Sequence, residues 1–216
     1  MKYLKPLIAA LALTSAVCAH AEVELSFYGG MQSSPHSSIK DPDGRQFSAG
    51  WEGKSFAMPP YYGFRYTNWT DKEWGWNVNF VHAKAYSNDQ TRANNSYKTL
   101  EFTDGANPIT LNMMRRFNKT DMGLTPYVGF GAGFSVPHVE LQRAAVGSAK
   151  TSEFQFGGPV VAGLAGFTYP INDKLSLMTE YSMHYLMLNV KMNGEANRFK
   201  TNLVTNALNI GVNYKY

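Results

Sequence analysis

The chain is poor in the residues on which many chemistries depend. Its one cysteine is Cys18. Beyond residue 21 there is therefore no disulfide, no thiolate metal site and no cysteine nucleophile. No apolar run there approaches the roughly 20 residues that a membrane helix needs. There is no Gly-rich phosphate loop, no HExxH pair and no nucleophile elbow, which removes the motif-bearing nucleotide, zincin and hydrolase classes. Flavin and haem sites are not recognisable either. There is no internal repeat and no low-complexity tract. The formal charge is +4, and it falls to about +2 once Lys2 and Lys5 are set aside. That excess is too small to suggest a nucleic-acid partner.

Those two lysines open an N-terminal pattern of their own. The apolar run Leu7 to Val17 follows, and then Ala19-His20-Ala21. A short positive region, an apolar core and small residues at a cut site predict a cleaved signal peptide over 1–21 and a mature chain over 22–216. Bulky Val17 argues against a lipoprotein reading of Cys18, which leaves with the leader.

What the remainder has is alternation. Leu208, Ile210, Val212, Tyr214 and Tyr216 fall on one face of the last segment, with Asn209, Gly211, Asn213 and Lys215 between them. Period two marks a strand with one apolar face, and an aromatic at its end suits the headgroup level of a bilayer. Seven earlier segments alternate similarly: 23–31, 56–69, 74–86, 109–117, 125–141, 153–169 and 175–192. Short turns follow the second, fourth and sixth, and long polar loops (32–54 and 87–107 among them) follow the others. The expectation is an all-β fold, an eight-stranded antiparallel up-and-down transmembrane β-barrel in the bacterial outer membrane, monomeric, with long loops outside. A soluble β-sandwich is the alternative. Eight strands leave a lumen filled by side chains, so the chain is not a porin. Trp74, Trp76, Val78 and Phe80 should face lipid, as should Val128, Phe130, Ala132, Phe134 and Val136, and Leu175, Leu177, Tyr181, Met183 and Tyr185. Tyr127, Gly129, Gly131, Gly133, Ser135, Ser176, Glu180, Ser182 and His184 should face in, with Glu180 and His184 in a polar lumen network.

Extending two of these phases outward brings chemistry to the wall. The lipid-facing series of the third segment runs on to His82, Lys84 and Tyr86. That of the fifth runs on to His138 and Glu140. Charge is costly at the bilayer midplane and nearly free at its interface, so these residues suit the rim, where they could simply snorkel to water. A bulge at Pro137 would instead turn His138 inward. As a site, the set offers His82, His138 and Glu140 as catalytic groups or ligands of a divalent metal ion. Lys84 and Tyr86 would contact substrate. Lipid A, the membrane anchor of lipopolysaccharide, holds its phosphorylated sugars at that height. His36 lies in a polar loop and reads as a solvated side chain.

Several stretches carry a family resemblance. They are Gly50-Trp51-Glu52-Gly53-Lys54-Ser55-Phe56, Met58-Pro59-Pro60-Tyr61-Tyr62-Gly63 and Val81-His82-Ala83-Lys84. They continue with Leu100-Glu101-Phe102-Thr103-Asp104-Gly105, Val136-Pro137-His138-Val139-Glu140, Lys150-Thr151-Ser152-Glu153 and Thr205-Asn206-Ala207-Leu208-Asn209. The chain resembles the lipid A oxidase family of outer-membrane barrels over most of residues 22–216. The resemblance implies conversion of the proximal glucosamine of lipid A to 2-aminogluconate, with molecular oxygen as co-substrate. Two alternatives stay open. One is a non-enzymatic structural or adhesion barrel of the OmpA/OmpX type. The other is a lipid A deacylase, disfavoured because no His-x-Ser pair stands at either rim.

Overall fold

The computed structural model describes residues 22–216; the signal peptide expected over 1–21 lies outside them. In chain order the elements are β1 (Glu22–Ser33), β2 (Ser37–Lys40), β3 (Gln46–Ala49), β4 (Trp51–Glu52), β5 (Tyr62–Trp69), β6 (Trp74–His82) and β7 (Ala85–Ser87). Then come α1 (Asp89–Asn94), β8 (Tyr97–Phe102), β9 (Pro108–Arg116), β10 (Thr125–Ser135), β11 (His138–Arg143) and β12 (Lys150–Phe154). The long strands β13 (Gly158–Pro170), β14 (Leu175–Val190) and β15 (Phe199–Lys215) complete the chain.

Eight strands, β1-β5-β6-β9-β10-β13-β14-β15, pair antiparallel in that order, and β15 returns to β1 with Leu25 opposite Tyr214 and Met31 opposite Leu208. Closure leaves no sheet edge along the wall. The apolar alternation is borne out. Phe27, Phe64, Val78, Phe130, Tyr181, Ile210 and Val212 lie exposed on the outer face. Short turns at 70–73, 117–124 and 171–174 define one end of the barrel, and the long connections gather at the other.

The lumen is filled. Trp69, Met114, Tyr127 and Leu164 form one apolar cluster inside it. Beside them Arg65 makes a two-pronged pair with Glu180, Nη1 to Oε2 and Nη2 to Oε1, both 2.7 Å. Tyr127 and Asn209 also donate to that carboxylate. Glu180 thus joins the expected polar network; His184 faces the lumen but enters no hydrogen bond among the described residues. Gly133 is required by close approach: a Cβ there would collide with the Ile109 carbonyl of neighbouring β9.

The long-loop end differs from the sequence expectation. Loops 32–54 and 87–107 are not plain loops; they carry β2 to β4, α1 and β8. The third segment stops as a barrel strand at His82 and the fifth at Ser135, while β7 and β11 belong to a second sheet, ordered β12-β11-β8-β7-β4. The breaks have a cause. Pro137 has no N–H to give a ladder, and Pro59-Pro60 and Pro108 deprive the end of β6 of donors on either side. The same prolines delay β5 to Tyr62, and Gln155-Phe156-Gly157 separates β12 from β13.

The second sheet packs one face on the ends of β13 to β15, which extend past the barrel. Trp51, Ala85, Leu100, Phe102, Val139 and Leu141 meet Val160, Leu186, Leu188, Val190, Phe199 and Leu203 in a single buried cluster. Each fully buried Leu or Val there contributes roughly 1.5–3 kcal/mol. A buried carboxylate ties the connections together: Asp41 accepts from Arg143 at 2.8 and 2.9 Å and from the Tyr97 hydroxyl at 2.6 Å. The Asn88 side chain caps α1 by accepting from the Thr91 amide.

Candidate functional site on the outer wall

With its inner face committed to the core, the second sheet turns its other residues outward. Register places Glu52, Tyr86, Glu101, Glu140 and Ser152 opposite one another across its five strands. His138 lies two residues before Glu140 on the same outward face, while Val139 and Leu141 are buried beneath. Pro137 breaks the strand without changing the phase, so His138 does not turn inward.

The connection from Thr103 to Asn107 joins the two histidine-bearing strands. The Ala106 amide donates to Ala83 O at 2.7 Å on one side, and the His138 amide donates to Gly105 O at 3.0 Å on the other. Gly105 has a φ of 87°, and a Cβ on it would run into His82 Nδ1 and the Asn107 side chain. Only glycine lets this segment pass so close to the imidazole.

Around His138, Nδ1 lies 3.1 Å from Thr103 Oγ1, 3.5 Å from an Asp104 carboxylate oxygen and 3.9 Å from a Glu140 oxygen. The ring meets Phe154 edge-on. Lys150 holds Glu140 at 3.0 Å. Burial alone would raise the Glu140 carboxyl, but hydrogen bonding and charge from Lys150, with His138 and Ser152, keep it below its ordinary value. Glu101 is pushed the other way, by burial and then by the like charge of Glu140 across the ladder. Lys54 Nζ sits 4.4 Å from the Tyr86 ring centroid, a cation–π distance.

His82 is 5% exposed. It stacks on Tyr62, with centroids 5.1 Å apart, and its Nδ1 faces Asn107 Oδ1 at 3.2 Å. Its Nε2 has no partner among the described residues. Lys84 is 1% exposed: its Nζ donates to the Ala57 carbonyl at 2.7 Å, beneath the loop 53–61. The lysine expected to meet substrate therefore holds this loop, while Lys54 and Lys150 stand outside.

His138, Glu140 and Tyr86 thus share the outer face of the second sheet, with His82 below them across the Asp104 segment. Sequence phase found these four but missed Asp104, Thr103, Asn107, Glu101 and Lys54, which arrive from connections that carry no alternation. Asp104 and Lys54 do lie inside the stretches that carry the family resemblance. The expected metal does not fit this arrangement. Among the described residues no three His, Cys, Asp or Glu side chains are grouped to hold an ion, and His138 Nδ1 is turned to Thr103 and Asp104.

Below the site the outer wall is hollowed into a groove of about 460 Å³. Pro59, Tyr62, Phe80, Ile109, Val136 and Phe154 line it, and His82, Asp104 and Asn107 close its polar end. A second cavity, of about 260 Å³, lies at the short-turn mouth of the barrel between Glu22, Arg116 and Lys174, on the opposite side of the wall.

Among solved structures the chain is similar to the neisserial surface protein A (16% identity, 91% of this chain and 97% of that one, TM-score 0.49). It is similar also to Ail, the attachment invasion locus protein of Yersinia pestis (12%, 91% and 97%, 0.42). A third is the outer membrane protein OprG from Pseudomonas aeruginosa (14%, 91% and 94%, 0.45). No curated protein matches it. A model of the outer membrane protein β-barrel domain matches residues 7–216. With that match over nearly its whole length and a closed eight-stranded wall, the chain belongs to the outer membrane protein β-barrel family.

Proposed function

We propose that this barrel is an outer-leaflet enzyme acting on lipid A, and that its reaction is the oxygen-dependent oxidation of the proximal glucosamine to 2-aminogluconate. The observation that carries the reading is the position of His138 with Asp104 and Glu140. They form a titratable cluster on the outer wall at the long-loop end, the extracellular end of such a barrel. A lipid arrives at a barrel sideways, so its sugars meet this wall before they could meet the filled lumen. The reaction itself is what the family resemblance implies.

The roles follow from geometry. Asp104 and Thr103 orient His138 through Nδ1, which leaves Nε2 free to accept a proton. A free anomeric hydroxyl gives its proton to that nitrogen. The anomeric carbon loses its hydrogen and two electrons, dioxygen takes up two electrons and two protons, and the products are a lactone and hydrogen peroxide. Hydrolysis of the lactone gives the 2-aminogluconate. Lys54 and Lys150, flanking the cluster, supply positive charge toward the lipid's phosphates. Tyr86 offers its ring edge beside Lys54. His82 and the groove beneath hold the lipid rather than the proton. No step is routed through a metal.

Mass spectrometry of lipid A from cells with and without this gene tests the reading. A gain of one oxygen atom on the proximal sugar, dependent on the gene and on air, is the expected result. Loss of an acyl chain would replace oxidation with deacylation, and unchanged lipid A would remove the enzyme.

A further inference from the structure

The groove on the outer wall has a composition that selects its occupant. Its floor, Tyr62, Phe80, Ile109 and Val136, continues the lipid-facing rows of β5, β6, β9 and β10. In the membrane, the molecule beside such a surface is a lipid, and the apolar length of the groove suits a hydrocarbon chain. The polar end is more discriminating, because no Lys or Arg is among the lining residues. A phosphate would find no counter-charge there.

What the polar end does offer is acceptors. The Asn107 amide nitrogen donates to Asp104 O at 2.7 Å and to Val136 O at 3.1 Å. That fixes the amide orientation and leaves Oδ1 facing His82 Nδ1. A carbonyl-type oxygen accepts, so Nδ1 carries the proton and Nε2 carries the lone pair. Nε2 is buried and has no partner among the described residues. The other ionisable group at this end is the half-exposed Asp104 carboxylate, again an acceptor. An unpaired buried acceptor is unfavourable, and a ligand donor relieves it.

We propose that the groove binds one acyl chain of an outer-leaflet glycolipid whose head end carries an N–H or O–H. An amide-linked or hydroxylated chain meets that description, and His82 Nε2 accepts from it. A plain ester-linked chain has no hydrogen to give. This deepens the lipid A reading, on which it rests. It assigns His82 to holding the chain, and it sets the sugar above the groove at the level of His138.

The test reads binding without turnover. The purified detergent-solubilised barrel is titrated anaerobically with two probes and followed by native mass spectrometry. One probe is a glucosamine lipid with an amide-linked 3-hydroxyacyl chain; the other is a diester phosphatidylcholine of matched chain length, which has no N–H or O–H. The wild type should prefer the first by about tenfold, the worth of one good hydrogen bond to a buried acceptor. His82→Phe keeps a ring against Tyr62 and removes the acceptor, so the preference should vanish while phosphatidylcholine binding persists. Ile109→Trp fills the groove from a wall position where an aromatic is tolerated, and should weaken both probes about tenfold or more, since burial of several methylenes is lost. Equal binding of the two probes by the wild type would overturn the donor requirement. Undiminished binding to Ile109→Trp, with the barrel shown folded by heat modifiability, would overturn the groove. Unoxidised lipid A in cells, with the probe preference intact, would remove the oxidase and leave this inference standing.

Discussion

Two clusters of charged and polar side chains, one inside the barrel and one on its wall, are built on opposite rules. Inside, the Arg65 guanidinium and the Glu180 carboxylate meet at 2.7 Å on both prongs, with Tyr127 and Asn209 adding donors. Neither side chain is more than 3% exposed. Both oxygens of the Glu180 carboxylate are occupied, and the Arg65–Glu180 pair leaves no charge uncompensated. On the wall, His138 has its carboxylates at 3.5 and 3.9 Å, Asp104 is 49% exposed, and His82 keeps a lone pair with no partner among the described residues. Saturation marks a cluster that holds the fold together. In the proposed reading, unfilled capacity at a place lipid can reach is what a substrate would use.

The largest effect should come from breaking the saturated pair. Glu180→Ala leaves a buried guanidinium uncompensated and should cost about 3–5 kcal/mol of stability, seen as a lower urea midpoint of the refolded barrel. The modification carried out by each barrel that does fold should stay near wild type. A matched loss of both would mean that the two clusters are not separate.

Next in size is Asp104→Asn. It keeps the shape of the loop and removes the charge behind His138. Lipid A modification should fall by about tenfold to a hundredfold, within the range for a partner that orients a histidine, with the unfolding midpoint unchanged. Normal activity in this variant would take Asp104 out of the site.

The smallest effect is a pH dependence on the outer sheet. Glu101 has its folded pKa raised above the ordinary 4.5 by burial and by Glu140. Its contribution is therefore fully present below that ordinary value and is lost as pH rises through the raised one. Glu140 is lowered, so its contribution is present above 4.5 and is lost as pH falls through its own value. Glu101→Gln should raise thermal stability at pH 7 relative to wild type and give no advantage at pH 4. An equal gain at both values would deny the repulsion across the ladder.

The barrel was legible because its signal is local. Period-two alternation in β10 and β15, and polar turns after Trp69, Phe117 and Pro170, need no knowledge of distant partners. The phases of β6 and β10 also put His82 and His138 on the outer face. The second sheet was not legible. β4 and β7 are two and three residues long, too short for a period to show, and β8 lies in a stretch that reads as loop. What folds them is a core completed by β13 to β15, tens of residues away. Lys84 illustrates the cost. Its phase points outward, as expected, but the loop 53–61 covers it, and no pattern in the strand announces a loop from elsewhere. Asp104 was missed for the same reason: its role comes from lying between two strands that the sequence does not show to be neighbours.

The central claim is that the unfilled cluster on the wall, and not the saturated one in the lumen, carries the reaction. The direct measurement is lipid A mass spectrometry on cells producing His138→Ala, beside His184→Ala as the lumen control. Heat modifiability serves to show equal folded barrel in each. The account predicts loss of oxygen incorporation by roughly 10²-fold or more in His138→Ala, as for removal of a general base, and near-normal incorporation in His184→Ala. Retained oxidation in folded His138→Ala would contradict it.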